Sequence, residues 1–246
     1  NMVQSINHWA LASDFIEDSN NTYKATSIAD LLFGNNGLDT YQETIATSWL
    51  IHWKLAGEAR KTTTWYWLFN KLTNPILEKE FLIKNLFSFA EKLQSKTSLT
   101  TLRRDLDCCL RSYVPSEGNV TPEELSESVL GDLGILRQIS RGKYEFVRGE
   151  KDSLPQGIFV YALLKFWEMH SRFSGQESLS FSAIAHEDRS PGRVFKLDEA
   201  SIAERLSQLE DFTQGKLIWT DSQGIRTVSR RDNMINPDAI LRLAYE

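Results

Sequence analysis

The chain has two cysteines in 246 residues, and they are adjacent, Cys108 and Cys109. That number and spacing match no zinc site and no disulfide framework. They read as reduced thiols of a cytoplasmic protein, with Cys109 turned to a helix's buried side and Cys108 away from it. No signal peptide and no apolar run of membrane-spanning length is present, which points to a soluble protein. Excess positive charge is missing too. The net charge is -5, so any contact with nucleic acid has to come from local patches. The sequence contains no Walker phosphate loop, dinucleotide fingerprint, zinc-protease motif or nucleophile elbow. It also has no convincing HNH-like or restriction-type carboxylate–lysine motif.

What the chain does have is bulk. With 41% hydrophobic and 11% aromatic residues, it can build a real core, in one body or in two or three small domains. The pattern is clearest in SLTTLRRDLDCCLRSYVP, residues 98–115. Leu99, Leu102, Leu106, Cys109, Leu110 and Tyr113 recur at helical spacing and predict one buried stripe. Thr100, Arg104, Asp107 and Arg111 line the opposite face, with Arg103 on its flank. Ser98 is a natural N-cap and Pro115 a stop. Upstream, residues 78–93 predict a second amphipathic helix, separated from the first only by QSKT. This is the outline of a helix-turn-helix. Downstream, ESVLGDLGILRQIS predicts a third short helix and a strand, RGK a turn, and YEFVRG a returning strand. Together they predict a winged helix over 75–152.

The rest follows the same logic. Met2 to Leu11 predicts a helix with Val3, Ile6, Trp9 and Ala10 inward, followed by a hairpin around SNN and a helix ended by Gly34. This is the second half of a winged helix, and the chain opens inside a helical pattern, which implies further residues upstream. Tyr41 to Ala56 and TWYWLFNKL predict a pair of aromatic-rich helices whose tryptophans are core, with Arg60 and Lys61 in the loop between them. Residues 1–74 thus form an N-terminal remnant plus this pair. Residues 153–246 form a C-terminal unit. Within it, SLPQGIFVYALLKFWEMHSRF is a well-buried helix, and 179–229 repeats the winged-helix pattern, with Asp198 capping a helix inside a Leu197–Ile202 staple. The fold class is therefore mainly α with short two-stranded hairpins near 135–148 and 216–229, in tandem winged-helix or helix-turn-helix units joined by an aromatic helical layer.

Two places carry candidate chemistry. Thr100, Arg103, Arg104 and Arg111, with Arg141 and Lys143 on the wing, form a candidate surface for double-stranded DNA, since basic side chains there neutralise phosphate. Asp107 offsets it by pairing with Arg103 or Arg111. For the wing, a solvated hairpin is an equal reading. The second place is the loop HEDRSPGR and its flank. His186 is a candidate for proton transfer. Glu187 and Asp188 are candidate catalytic carboxylates and ligands for Mg2+ or Mn2+, with Glu168 as a third carboxylate. Arg189, Arg193 and Lys196 are a candidate phosphate clamp. The alternative is a charged surface loop with internal salt bridges.

Seven phrases in order, NMVQSINHW, LLFGNNGLD, ATSWLIHWKLA, TTTWYWLFN, TLRRDLDCCLRSYV, SLPQGIFVYALL and SPGRVFKLDE, resemble a bacterial uncharacterised-domain family. That family includes SspB, of the single-strand DNA phosphorothioation (Ssp) antiphage defence system. The resemblance covers essentially the whole chain; the family usually carries a further N-terminal segment, which this chain lacks. It implies a DNA-nicking factor working with a cysteine desulfurase, a sulfur transferase and an ATPase. It carries over no catalytic residue. Two functions stand: a metal-dependent nickase that opens one strand for sulfur incorporation, and a non-catalytic winged-helix reader or scaffold.

Overall fold

In the computed structural model, the described residues are 2–19, 22–58, 62–114, 130–174, 177–231 and 235–246. The expected stop at Pro115, the helix start at Thr121-Pro122, most of the third helix before Leu130, and the pair Arg60–Lys61 lie outside them.

The centre of the molecule is built from helices that are apolar on nearly all sides. Helix α3 (Ile45–Trp53) buries Trp49, Leu50 and Trp53 and then widens into a π turn over Lys54–Glu58. Helix α4 (Thr63–Tyr66) runs into a second π turn, Trp67–Lys71, that buries Trp67, Leu68 and Phe69. The long helix α7 (Gln156–Ser174) buries Ile158 through Leu164 without a break. A helix buried all round has no polar face to show, and it belongs in the middle of a fold. The clustered tryptophans are therefore core, as their crowding predicts. Around this centre the buried apolar residues form one connected cluster.

The N-terminal layer is helix α1 (Met2–Ala12), the hairpin β1 (Ile16–Ser19) and β2 (Thr22–Ala25), and helix α2 (Ser27–Phe33) ending at Gly34. Val3 and Ile6 are 63% and 59% exposed, so the inward face expected for α1 narrows to Trp9 and Ala10. Trp9 stacks edge-on against Trp65, and that contact sets the rotation of the helix.

Two similar units follow. In the first, β3 (Ile76–Glu78) leads into α5 (Lys79–Lys92) and α6 (Leu99–Tyr113); β4 (Leu136–Ser140) and β5 (Lys143–Phe146) close it. Its sheet order is β3-β5-β4, antiparallel throughout. In the second, β6 (Ser178–Ser180) precedes short helices α8 (Phe181–His186), α9 (Pro191–Val194), α10 (Glu199–Ser207) and α11 (Leu209–Phe212). Strands β7 (Leu217–Ser222) and β8 (Ile225–Arg230) then complete the order β6-β8-β7. The two expected hairpins are present, but each carries a third strand. A strand of three residues has too little alternation to be read from sequence. Helix α12 (Pro237–Arg242) returns to pack on α7, where Gly157 meets the Ala244 backbone so closely that a Cβ would lie 2.7 Å from its nitrogen.

Candidate functional site

Helix α6 forms as its sequence dictates. The Ser98 hydroxyl accepts from the Thr101 amide, and Leu102, Leu106, Cys109, Leu110 and Tyr113 are buried. Leu99 is the exception, 46% exposed in the first turn. Thr100, Arg103, Arg104 and Arg111 all face solvent, as do Arg141 and Lys143 on the β4–β5 turn. The turn is tied to the helices: the Lys79 amide donates to the Gly142 carbonyl at 2.9 Å, while the Lys79 ammonium pairs with Asp107 of α6 at 2.6 Å. Asp107 thus takes its partner from α5, rather than from Arg103 or Arg111. Arg111 instead donates to the Asp107 carbonyl.

Acidic residues at the start of the unit temper this face. Glu80 pairs with Arg103 at 3.4 Å and Glu78 with Lys143 at 2.9 Å. Arg104 and Arg141 have no hydrogen bond or ion pair among the described residues. Elsewhere in the basic segment, Arg137 is spent on Glu145, Lys151 is buried against the Gly149 carbonyl, and Arg148 leaves the wing to donate to the Thr73 carbonyl.

The charged stretch 186–196 is two short helices joined by a bend, rather than one loop. His186 ends α8, and Ser190 caps α9 by accepting from the Arg193 amide. Gly192 is required there, because a Cβ would sit 2.6 Å from Ile202 Cδ1 and 2.8 Å from the Ala185 backbone. The side chains diverge. His186 meets Glu199 at 3.0 Å, and Glu187 meets His170 at 3.2 Å. Asp188 accepts from Tyr66 and pairs with Lys71. Arg189 lies over the Tyr66 ring while its amide donates to Asn70. Lys196, expected at the surface, is buried; its ammonium donates to the Phe69 carbonyl at 2.7 Å and lies 4.0 Å from the Phe146 ring centroid. Burial, with Arg148 and Arg193 nearby, pushes its pKa well below the ordinary lysine value.

Arg189 and Glu168 do come together, in a cleft of about 830 Å³. Its floor holds residues that sequence reading missed. The Lys54 ammonium pairs with Asp14 at 3.0 Å and Glu58 at 2.8 Å. Burial pulls the Lys54 pKa down, but Tyr161, Glu58 and Asp14 overcome this and hold it above the usual lysine value. Lys54 and Glu58 open and close the first π turn, a local widening of the helix that often marks functional positions. The available signal was a lysine inside WLIHWKLAG, an otherwise apolar helical run. Among the described residues, no group of three or more His, Cys, Asp or Glu side chains could hold a metal ion, and none of the described helices is long and apolar enough to cross a membrane.

Residues 1–245 match the family model described as protein of unknown function (DUF4007). A magnesium ion-bound SspB crystal structure superposes with a TM-score of 0.81 at 24% identity, covering 98% of this chain and 73% of that one. A second SspB crystal structure gives 0.80 at the same identity and coverage. At that identity the likeness establishes the fold. No curated protein matches. The described residues do not fit a protein-built cage for the magnesium ion.

Proposed function

The chain belongs to the family described as protein of unknown function (DUF4007), and from its structural likeness to SspB we propose that it is the DNA-binding component of a bacterial DNA phosphorothioation antiphage defence system. In this reading, the units within 75–152 and 153–246 are winged helices, and 1–74 is an N-terminal remnant with the aromatic helical pair. The strand orders β3-β5-β4 and β6-β8-β7, each with helices between the first and second strand, support that assignment. A cytoplasmic place alongside a cysteine desulfurase, a sulfur transferase and an ATPase follows from the same reading.

The observation that carries it is Arg104. It stands exposed on α6 with no partner among the described residues, on the unit whose turn presents Arg141. An unpaired guanidinium is free to neutralise phosphate or to meet a guanine edge bidentately. The corresponding helix of the second unit, α10, shows Glu199 and Glu204 to solvent, which disfavours DNA there. The first unit is therefore the DNA-facing one. Fluorescence anisotropy of a labelled duplex against the protein and Arg104→Ala, across a salt titration, tests it. Equal affinity at every salt concentration would remove Arg104 from the contact surface.

Strand nicking is the finer reading, with His186, Glu187 and Asp188 as its sequence candidates and Mg2+ or Mn2+ as its ion. The divergence of Glu187 and Asp188 toward His170 and Lys71 favours the other reading, a non-catalytic reader or scaffold. Supercoiled plasmid incubated with the protein, with and without magnesium, separates them. Relaxation that is lost in Glu187→Ala or Asp188→Ala, with duplex affinity kept, supports nicking at this stretch. Intact plasmid under all conditions supports the reader.

A further inference from the structure

Arg148, Arg193 and Lys196 converge from two different units on one small cavity of about 230 Å³, whose wall also includes Gly192, Asp198 and Glu199. Three cationic side chains sharing a cavity repel one another, and the repulsion grows as water is excluded. Ordinarily a carboxylate would relieve it. Here the carboxylates are committed elsewhere: Asp198 caps α10 through Ser201, and Glu199 pairs with His186. Among the described residues, none of the three cations forms an ion pair. Arg193 Nε is moreover buried with no hydrogen-bond partner among the described residues. A buried donor left unmade costs free energy, and that cost is recovered when an acceptor arrives. Lys196 is nearly fully buried; its ammonium donates to the Phe69 carbonyl and lies over the Phe69 and Phe146 rings.

We propose that this cavity is an anion site, taking a tetrahedral phosphate-type oxyanion between Arg148 and Arg193 with Lys196 as the third cation. The volume holds such a group with a few waters, at about 30 Å³ per water. Guanidinium groups match the geometry of phosphate oxygens, and an anion would balance the charges that now oppose each other. Arg189 is not part of the site, because it lies over Tyr66. Because Arg148 follows β5 while Arg193 lies on α9 and Lys196 just before α10, the anion would tie the two units together. Its source is either a backbone phosphate of bound DNA or a free phosphate. The proposal deepens the DNA-binding reading and rests on it only for that source.

The test has two arms, run on the full chain and on Arg193→Gln and Arg148→Gln. Arg148 also donates to the Thr73 carbonyl, so circular dichroism checks that both variants fold. In the first arm, inorganic phosphate is titrated at constant ionic strength while the melting temperature is followed. The parent chain should show a saturable rise that chloride does not reproduce, with apparent affinity about tenfold weaker in each variant. The second arm measures affinity for a short labelled duplex. A loss in both arms assigns a DNA backbone phosphate, and a loss in the phosphate arm alone assigns a free anion. A loss in the duplex arm alone also assigns the backbone. Unchanged behaviour of both variants in both arms overturns the site. A parent chain that binds phosphate but not duplex would sink the DNA reading and leave the site standing.

Discussion

The imidazole of His52 accepts a hydrogen bond from the Tyr113 hydroxyl at 2.7 Å, deep between α3 and α6. Its other nitrogen lies 2.9 Å from the Val194 carbonyl, which can only accept, so the proton sits on Nε2 and Nδ1 is the acceptor. One neutral ring thereby joins the central helices, the unit of α6 and the 186–196 stretch. Burial lowers its pKa to about 3, against a lesser upward pull from Val194, and Lys196 nearby adds to the lowering.

This arrangement predicts a pH dependence of stability. The folded-state pKa lies below the unfolded value of 6.5. Below pH 6.5 the unfolded chain therefore binds a proton that the folded chain refuses. The contribution is fully present above 6.5 and is lost as pH falls toward 3, with a slope approaching about 1.4 kcal/mol per pH unit. Urea unfolding from pH 7 to 4 should show it. In His52→Gln that component of the slope should vanish while overall stability falls; an unchanged slope would assign the acid sensitivity to other groups.

Lys54 carries a second prediction. Its ammonium is the shared partner of Asp14 and Glu58, and the Lys54 and Glu58 side chains are only 4% and 9% exposed. Removing the cation shared by two acidic side chains, one of them buried, costs up to about 3–5 kcal/mol. Lys54→Met should therefore be strongly destabilised in chemical denaturation. Adding Asp14→Asn and Glu58→Gln should restore much of the loss. A triple variant no more stable than Lys54→Met would mean that the cost lies in packing rather than in charge.

Arg104→Ala should leave stability unchanged, since the exposed side chain makes no hydrogen bond or ion pair among the described residues. It should weaken duplex binding and lower the slope of log affinity against log salt by about 1 if it neutralises one phosphate. If affinity falls for one sequence only, Arg104 reads a base instead.

Gly192→Ala should destabilise by about 1–3 kcal/mol, because its methyl would overlap Ile202 and the Ala185 backbone and α9 would have to shift. Thermal unfolding measures the loss. The double variant Gly192→Ala, Ile202→Val tests the cause: if relief of the Ile202 contact recovers nothing, the clash with the backbone dominates.

What the sequence by itself determined is local. The cap at Ser98, the α6 stripe and its outward arginines, the Asp198 cap and the two hairpins each depend on residues within a few turns of one another, where periodicity and capping act directly. Tertiary structure decided whatever joins distant residues. Strand β3 exists because Leu77 pairs with Tyr144, and Lys54 is a charged core residue because Asp14 and Glu58 reach it. Glu187 and Asp188, neighbours in sequence, separate because the bend after α8 aims one at His170 and the other at Lys71. Lys196, polar by type, is buried because the Phe69 carbonyl and the Phe146 ring offer what water would have supplied. A side chain's chemistry is written in the sequence, but its partners depend on contacts that only close when the whole chain packs.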